Sequence, residues 1–152
     1  MINTSSGSFG NINGCEVDCF TVSSSNGISF TVINYGATLM KLTCPDKHGH
    51  NEDVTLNYST LEDLCKNHGP YYGCIAGRVA NRISKGIFEV DGNQHSVAVN
   101  NGNNHLHGGL KGFDQRIWNG NIFHDHEKNR AGVELTYTSV DGEEGYPGQL
   151  EV

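Results

Sequence analysis

Between Gly77 and Ile83 the chain reads Gly-Arg-Val-Ala-Asn-Arg-Ile, which sets the guanidinium groups of Arg78 and Arg82 and the carboxamide of Asn81 in a run too polar for a core. Arginine offers a rigid fork of N–H donors, and asparagine both donates and accepts. A hydroxyl-rich neutral ligand needs that combination, because each buried sugar hydroxyl left without a partner costs about 1–3 kcal/mol. Taken alone, the two arginines are more simply read as surface or ion-pairing residues. Downstream, Asn100-Asn101-Gly102-Asn103-Asn104-His105-Leu106-His107-Gly108-Gly109 is a Gly- and Asn-rich loop that presents imidazole, followed by Gly112-Phe113-Asp114 and Trp118. Such a loop can hydrogen-bond a polyol while Tyr71, Tyr72 or Trp118 stacks on its C–H face, although core packing is the ordinary role of an aromatic side chain.

A metal is the competing chemistry. His48 and His50, His105 and His107, and His124 and His126 form His-x-His pairs, and on a strand residues i and i+2 share a face, so each pair could offer two imidazoles to an ion. A cupin-type site would follow such a pair with a carboxylate, yet after His107 come Gly108, Gly109, Leu110, Lys111 and Gly112. The other two pairs lie in a Gly-containing loop and in the charged run His124-Asp125-His126-Glu127-Lys128, which read as solvated turns. The expectation is no metal site.

Short strands must position these groups. With 36% apolar residues and 20 glycines among 152 residues, the composition favours many tight turns over long helices. Alternating or β-branched runs recur at Glu16–Val22, Ile28–Ile33, Thr38–Thr43, Val54–Asn57, Ile87–Val90, His95–Val99, Ile117–Phe123 and Val133–Thr138. In the last, Val133, Leu135 and Tyr137 fall on one face and Glu134, Thr136 and Thr138 on the other, as a half-buried strand requires. Asp91-Gly92 between two runs predicts a hairpin, because a type I′ turn needs positive φ at both central residues. A short helix is predicted at Thr60–Cys65, with Thr60 placed to cap it. The predicted class is all-β with one short helix, and no linker-like stretch divides residues 1–152.

Seventeen acidic against ten basic residues give a formal charge of −7, the wrong sign for a nucleic-acid or anionic-membrane footprint. The opening residues Met1 to Gly7 carry neither a basic nor an apolar leader, and no run approaches the length of a membrane span, so the expected location is cytoplasmic. Five cysteines without a C-x-x-C pair argue against a disulfide framework or a thiolate zinc site and for buried, reduced thiols. At the other end, Gln149-Leu150-Glu151-Val152 begins a new alternating strand directly after the turn Tyr146-Pro147-Gly148. A strand cut there would leave its neighbours with an unpaired edge.

Three motifs in chain order carry a resemblance: Gly77 to Ile83 with Ser84-Lys85-Gly86, Asn104 to Gly109 through Gly112-Phe113-Asp114, and Asp141-Gly142-Glu143-Glu144-Gly145-Tyr146-Pro147-Gly148. Together they resemble the N-terminal half of the aldose 1-epimerase (galactose mutarotase) family, from about Gly27 to Val152. The resemblance implies a large antiparallel β-sandwich, an aldose such as galactose or glucose as substrate, and no metal or organic cofactor. It implies that Asn81 and Arg82 are the sugar-binding pair and that His107 is the histidine that contacts the sugar at its reacting end. His105 stands where the family often has Ser or another small residue, and no role carries over to it. Glu143 and Glu144 match a family hallmark and are read as a turn device, not as the base.

Mutarotation needs a base to take the anomeric hydroxyl proton and an acid to protonate the ring oxygen. The family supplies these as a Glu and a second His in a C-terminal half that would follow Val152. The chain is therefore expected to be a single incomplete domain holding Asn81, Arg82 and His107 but no catalytic residue. With each positioned acid or base contributing about 10²–10⁴-fold, it should be nearly inactive alone. The alternatives are a naturally short, non-catalytic sugar-binding relative, and a small cupin-type metalloenzyme built on His105 and His107.

Overall fold

A five-stranded antiparallel meander opens the chain, running β1 (Ile2–Ile12), β2 (Cys15–Ser24), β3 (Ser29–Ile33), β4 (Thr38–Pro45) and β5 (Asn51–Asp53) in sequence order. The computed structural model describes residues 1–66 and 69–152. Predicted strands at 16–22, 28–33 and 38–43 lie within or largely overlap β2, β3 and β4. Val54–Asn57 does not form a strand; pairing ends at Asp53, and only the Val54 amide still donates to Leu42 O, at 2.9 Å. β1 carries no alternating apolar signal, being rich in Ser, Gly and Asn. An edge strand held by its ladder needs little apolar surface. Its register with β2 shifts between Ser8 and Gly10, and the bulge falls at Phe9, which packs on the core.

That core joins Val17, Ile33, Tyr35 and Met40 to Leu61 and Leu64 of α1 (Leu61–Lys66). Thr60 caps α1 as expected: the Asp63 amide donates to Thr60 Oγ1 at 3.1 Å. A second core holds Ala37, Phe113 and Trp118, with Phe113 edge-on to Trp118 at 5.8 Å and to Tyr137 at 5.5 Å between centroids. All five cysteines are free, as their odd count suggests, but none is fully buried and Cys15 is exposed.

Four antiparallel pairs complete the chain: β6 (Arg82–Ser84) with β9 (Asn104–Leu106), β7 (Ile87–Val90) with β8 (Asn93–Ser96), β10 (Asn119–Asp125) with β11 (Arg130–Thr136), and β12 (Thr138–Ser139) with β13 (Leu150–Glu151). Asp91 and Gly92 turn between β7 and β8 with φ of 51° and 77°, the two positive values the hairpin required. Val133, Leu135 and Tyr137 are half-buried while Glu134, Thr136 and Thr138 are exposed, so the predicted alternation holds. At the C-terminal end the Tyr137 and Val152 amides and carbonyls bond reciprocally at 2.9 and 3.0 Å, extending the β12–β13 ladder. Among the described residues no helix is long and apolar enough to cross a membrane.

Backbone bonds knit these pieces to the meander. The Gly36 amide donates to Arg116 O at 2.8 Å, Trp118 to Asn34 O at 2.8 Å, Ile75 to Gly36 O at 3.0 Å and Leu39 to Gly73 O at 2.9 Å. The segments before Gly77 and after Phe113 are thereby fixed to the β3–β4 connection and the start of β4.

Burial pushes the phenols of Tyr35, Tyr137 and Tyr146 up to about 12. Unfolded tyrosines ionise near pH 10. From about pH 10 to 12 the unfolded state thus holds fewer protons than the native one, and stability falls as pH rises. Full stabilisation is present below about pH 10. An alkaline titration should show tyrosinate absorbance rising together with loss of β circular dichroism. Ionisation of these tyrosines near pH 10 in a still-folded protein would contradict the burial argument.

Candidate functional site

The short β6–β9 ladder decides the site. Arg82 pairs with Leu106 and Ile83 with His105, so the residues just outside the ladder, Asn81 and His107, face one another. They bond reciprocally: the His107 amide donates to Asn81 O at 3.0 Å, and the Asn81 amide donates to His107 Nδ1 at 3.0 Å. An amide can only donate, so Nδ1 is the acceptor and the proton of the neutral ring is assigned to Nε2. Both residues adopt positive φ, 65° at Asn81 and 50° at His107. Asparagine and histidine both enter that region more often than other non-glycine residues, yet it remains uncommon for either.

Arg82 is exposed, with Nε donating to Asn101 Oδ1 at 3.0 Å and Nη1 to Asn81 Oδ1 at 3.3 Å. Two asparagines orient the fork and its other donors remain for a ligand. Tyr71, also at positive φ, lays its ring 4.5 Å from that of His107 at 56°. Burial raises the Tyr71 phenol above its ordinary value, reinforced by the negative charges of Asp114 and Cys74. Asn81, Arg82 and His107, named separately from sequence, are thus one contiguous group with Tyr71 beside it.

The Gly- and Asn-rich loop behaves differently from the sequence expectation. Asn100 commits its amide to Leu106 O at 3.0 Å and Gly109 O at 2.8 Å, and its Oδ1 accepts from the Leu106 amide at 2.6 Å. Asn101 holds Arg82, and Asn104 Oδ1 accepts from the Lys85 amide at 3.3 Å. These side chains organise the loop around His107. Gly108 closes it against the first motif: a Cβ there would fall 1.5 Å from Gly77 O.

Arg78 and Arg82, alike in sequence, have separate fates. Arg78 Nε donates to Ser139 Oγ at 2.8 Å, Nη1 to Pro147 O and Gly148 O at 3.1 and 2.7 Å, and Nη2 to Ser139 O and Val140 O at 3.0 and 2.6 Å. Its fork is filled by protein carbonyls and fixes the 139–148 loop. Glu143 pairs with Arg116 at 3.1 Å and accepts from Tyr137 Oη at 2.6 Å and from Ser139 Oγ; Glu144 lies 3.8 Å from Arg116 and accepts from the Leu110 amide at 2.8 Å. Trp118 is buried in the second core and donates to Phe113 O at 3.2 Å, so it has no face for a ligand.

The rings of His48 and His50 lie 6.3 Å apart between centroids and those of His124 and His126 5.5 Å, but His105 and His107 part. His107 leaves the strand at positive φ, while His105 turns inward to Ala98 O at 2.7 Å and Tyr146 Oη at 2.6 Å. The i, i+2 rule fails because His107 lies past the strand end. His48 and His50 are exposed, their amides bonded to Asp46 Oδ1 at 2.7 and 2.9 Å, and His124 and His126 are exposed at the end of β10. Among the described residues no three His, Cys, Asp or Glu side chains gather as a metal site.

Residues 18–152 match the family model described as aldose 1-epimerase. Galactose mutarotase of Sus scrofa is 41% identical over 128 residues, covering 84% of this chain and 35% of that protein. Galactose mutarotase of Homo sapiens is 42% identical over 121 residues, covering 80% and 33%. The chain thus spans about a third of the length of these curated relatives. Among solved structures, galactose 1-epimerase from Lactobacillus acidophilus NCFM superposes with a TM-score of 0.84 at 30% identity, covering 99% of this chain and 43% of that one. A GalM/aldose epimerase homologue from C. elegans gives 0.74 at 32% identity, covering 86% and 38%. The antiparallel sheets described above share the β-sandwich fold of these epimerases.

Proposed function

Because the chain belongs to the aldose 1-epimerase family, we propose that it forms the sugar-holding part of an enzyme that interconverts the α and β anomers of galactose or glucose. Asn81 and Arg82 hold ring hydroxyls, and His107 presents its Nε2–H to the reacting end of the pyranose. The carrying observation is the reciprocal Asn81–His107 pair beside Arg82, which fixes an imidazole donor and a guanidinium fork side by side on an exposed surface.

In this reading the reaction is a proton exchange around the ring. A base removes the proton of the anomeric hydroxyl as an acid protonates the ring oxygen; the C1–O5 bond breaks, the aldehyde rotates, and closure on its other face reverses both transfers. Glu143 and Glu144 are committed to Arg116, Tyr137, Ser139 and Leu110, which supports a turn-forming role rather than that of the base. The base and acid would come from polypeptide outside these 152 residues.

Polarimetry of freshly dissolved α-galactose with the full-length protein tests the assignment. Arg82→Ala should lower kcat/KM by the equivalent of about 1–3 kcal/mol, the scale of a charge-assisted hydrogen bond. Unchanged kcat/KM would remove Arg82 from the site. The 152-residue chain alone should bind galactose without accelerating mutarotation, and enzyme-like anomer interconversion by it would overturn the division of labour.

A further inference from the structure

His105 and Tyr146 are 41 residues apart in sequence, yet they form a hydrogen-bonded pair with relative exposures of 0% and 3%. Building on the sugar-holding reading of Asn81, Arg82 and His107, we propose that this pair is a positioning strut, with His105 and Tyr146 as positioning residues that set the His107 ring.

The direction of each bond follows from chemistry. Ala98 O can only accept, so His105 Nδ1, 2.7 Å away, carries the proton. In the neutral ring Nε2 is then an acceptor, and the Tyr146 hydroxyl donates to it across 2.6 Å. The Val79 backbone bears on the same phenol, acting against the upward push of burial. The phenol therefore ties the strand that leads into His107 to the 139–148 loop, which Arg78 in the segment leading into Asn81 also holds. Both ring nitrogens of His105 are satisfied, and a 180° flip would break both bonds.

The phenol ring is itself held. Phe88 lies 5.6 Å away between centroids, and the Arg78 guanidinium carbon is 5.9 Å from the ring centre. Through its bonds to Ser139, Val140, Pro147 and Gly148, Arg78 clamps the two ends of the loop that carries Tyr146. The 139–148 loop is thus fastened at Arg78, three positions before Asn81, and at His105, two positions before His107.

His107 needs such support. Its φ of 50° lies in the left-handed region, a sparsely populated state that costs a non-glycine residue free energy and is held by its surroundings. Asn100 holds Leu106 and Gly109 on either side, and the strut fixes the residue preceding Leu106. Loss of the strut should let the 105–107 backbone relax, and the His107 ring would leave the Asn81 amide that sets its tautomer.

Two variants of the full-length protein separate positioning from plain stability. Tyr146→Phe keeps the ring but leaves His105 Nε2 buried without a donor. His105→Leu combined with Tyr146→Phe removes both polar atoms and the orphan with them. Tyr146→Phe should lower the melting temperature and raise KM for galactose about tenfold or more, since small misplacements of binding groups are costly. The double variant should regain melting temperature while KM stays raised. Long-range ¹H–¹⁵N spectra of His107 should change from a single Nε2–H tautomer in the parent to a mixture in both variants.

Recovery of KM and of the His107 tautomer along with melting temperature in the double variant would overturn the proposal. So would an unchanged KM and His107 spectrum in Tyr146→Phe. The spectrum needs no sugar, so it decides the strut even if Arg82→Ala leaves kcat/KM unaltered, the result that would defeat the sugar-holding reading instead.

Discussion

Gly108→Ala is expected to be the most damaging single substitution near the site. The glycine sits at φ of +92°, and an added Cβ would lie 1.5 Å from Gly77 O, 2.2 Å from Gly77 C and 2.8 Å from Arg78 N. All three atoms are main chain, so no rotamer change relieves the overlap. The motifs that carry Asn81 and His107 would have to separate. Overpacking of a rigid site together with the left-handed strain should cost about 3 kcal/mol or more. Chemical denaturation of the full-length protein should show that loss, with sugar-dependent activity falling to background. Gly102→Ala is the internal control: at φ of +58° it meets nothing within 4 Å, so its penalty should be limited to the local strain of about 1–2 kcal/mol. Equal stability of the two variants would contradict the close approach of the two motifs.

His107→Ala should separate chemistry from folding in the opposite sense. The ring is half-buried, and its partners are the Asn81 amide on an exposed residue and the tilted ring of Tyr71. Water can replace the lost acceptor, so the melting temperature should change little. On the proposed reading its Nε2–H meets the sugar and has no such substitute, and losing a preorganised donor at a reacting centre typically costs about 10²–10³-fold in kcat. Polarimetric turnover compared with a thermal melt gives both numbers on one preparation. A collapse of stability with normal turnover would make His107 a structural residue and remove it from the proposed mechanism.

The contrast between Arg78 and Arg82 shows how far residue types can carry a reading. Both side chains have the same donors and lie four positions apart. Arg78 is occupied by carbonyls of Ser139, Val140, Pro147 and Gly148, more than 60 residues away, while Arg82 meets the side chains of Asn81 and Asn101 and stays exposed. Nothing local distinguishes them. The same holds for the histidines: His105 and His107 look like a metal-ready pair on paper, and the end of the strand after Leu106 sends one inward and the other outward.

Local order was legible where the signal is local. The Asp91-Gly92 hairpin, the Thr60 cap, the alternating β11 and the three family motifs all follow from residues within a few positions of each other, because turn sterics, capping and strand pleat act at that range. The all-β class and the group Asn81, Arg82 and His107 were accordingly named from sequence. Tertiary structure decided which polar groups remain free to meet a ligand: that Asn100, Asn101 and Asn104 hold the loop, that Trp118 is core, that Tyr71 backs His107, and that Tyr146 reaches His105. A hydrogen-bond donor is available or occupied according to what the rest of the chain brings within about 3 Å of it, and sequence spacing does not say which groups the fold will bring there.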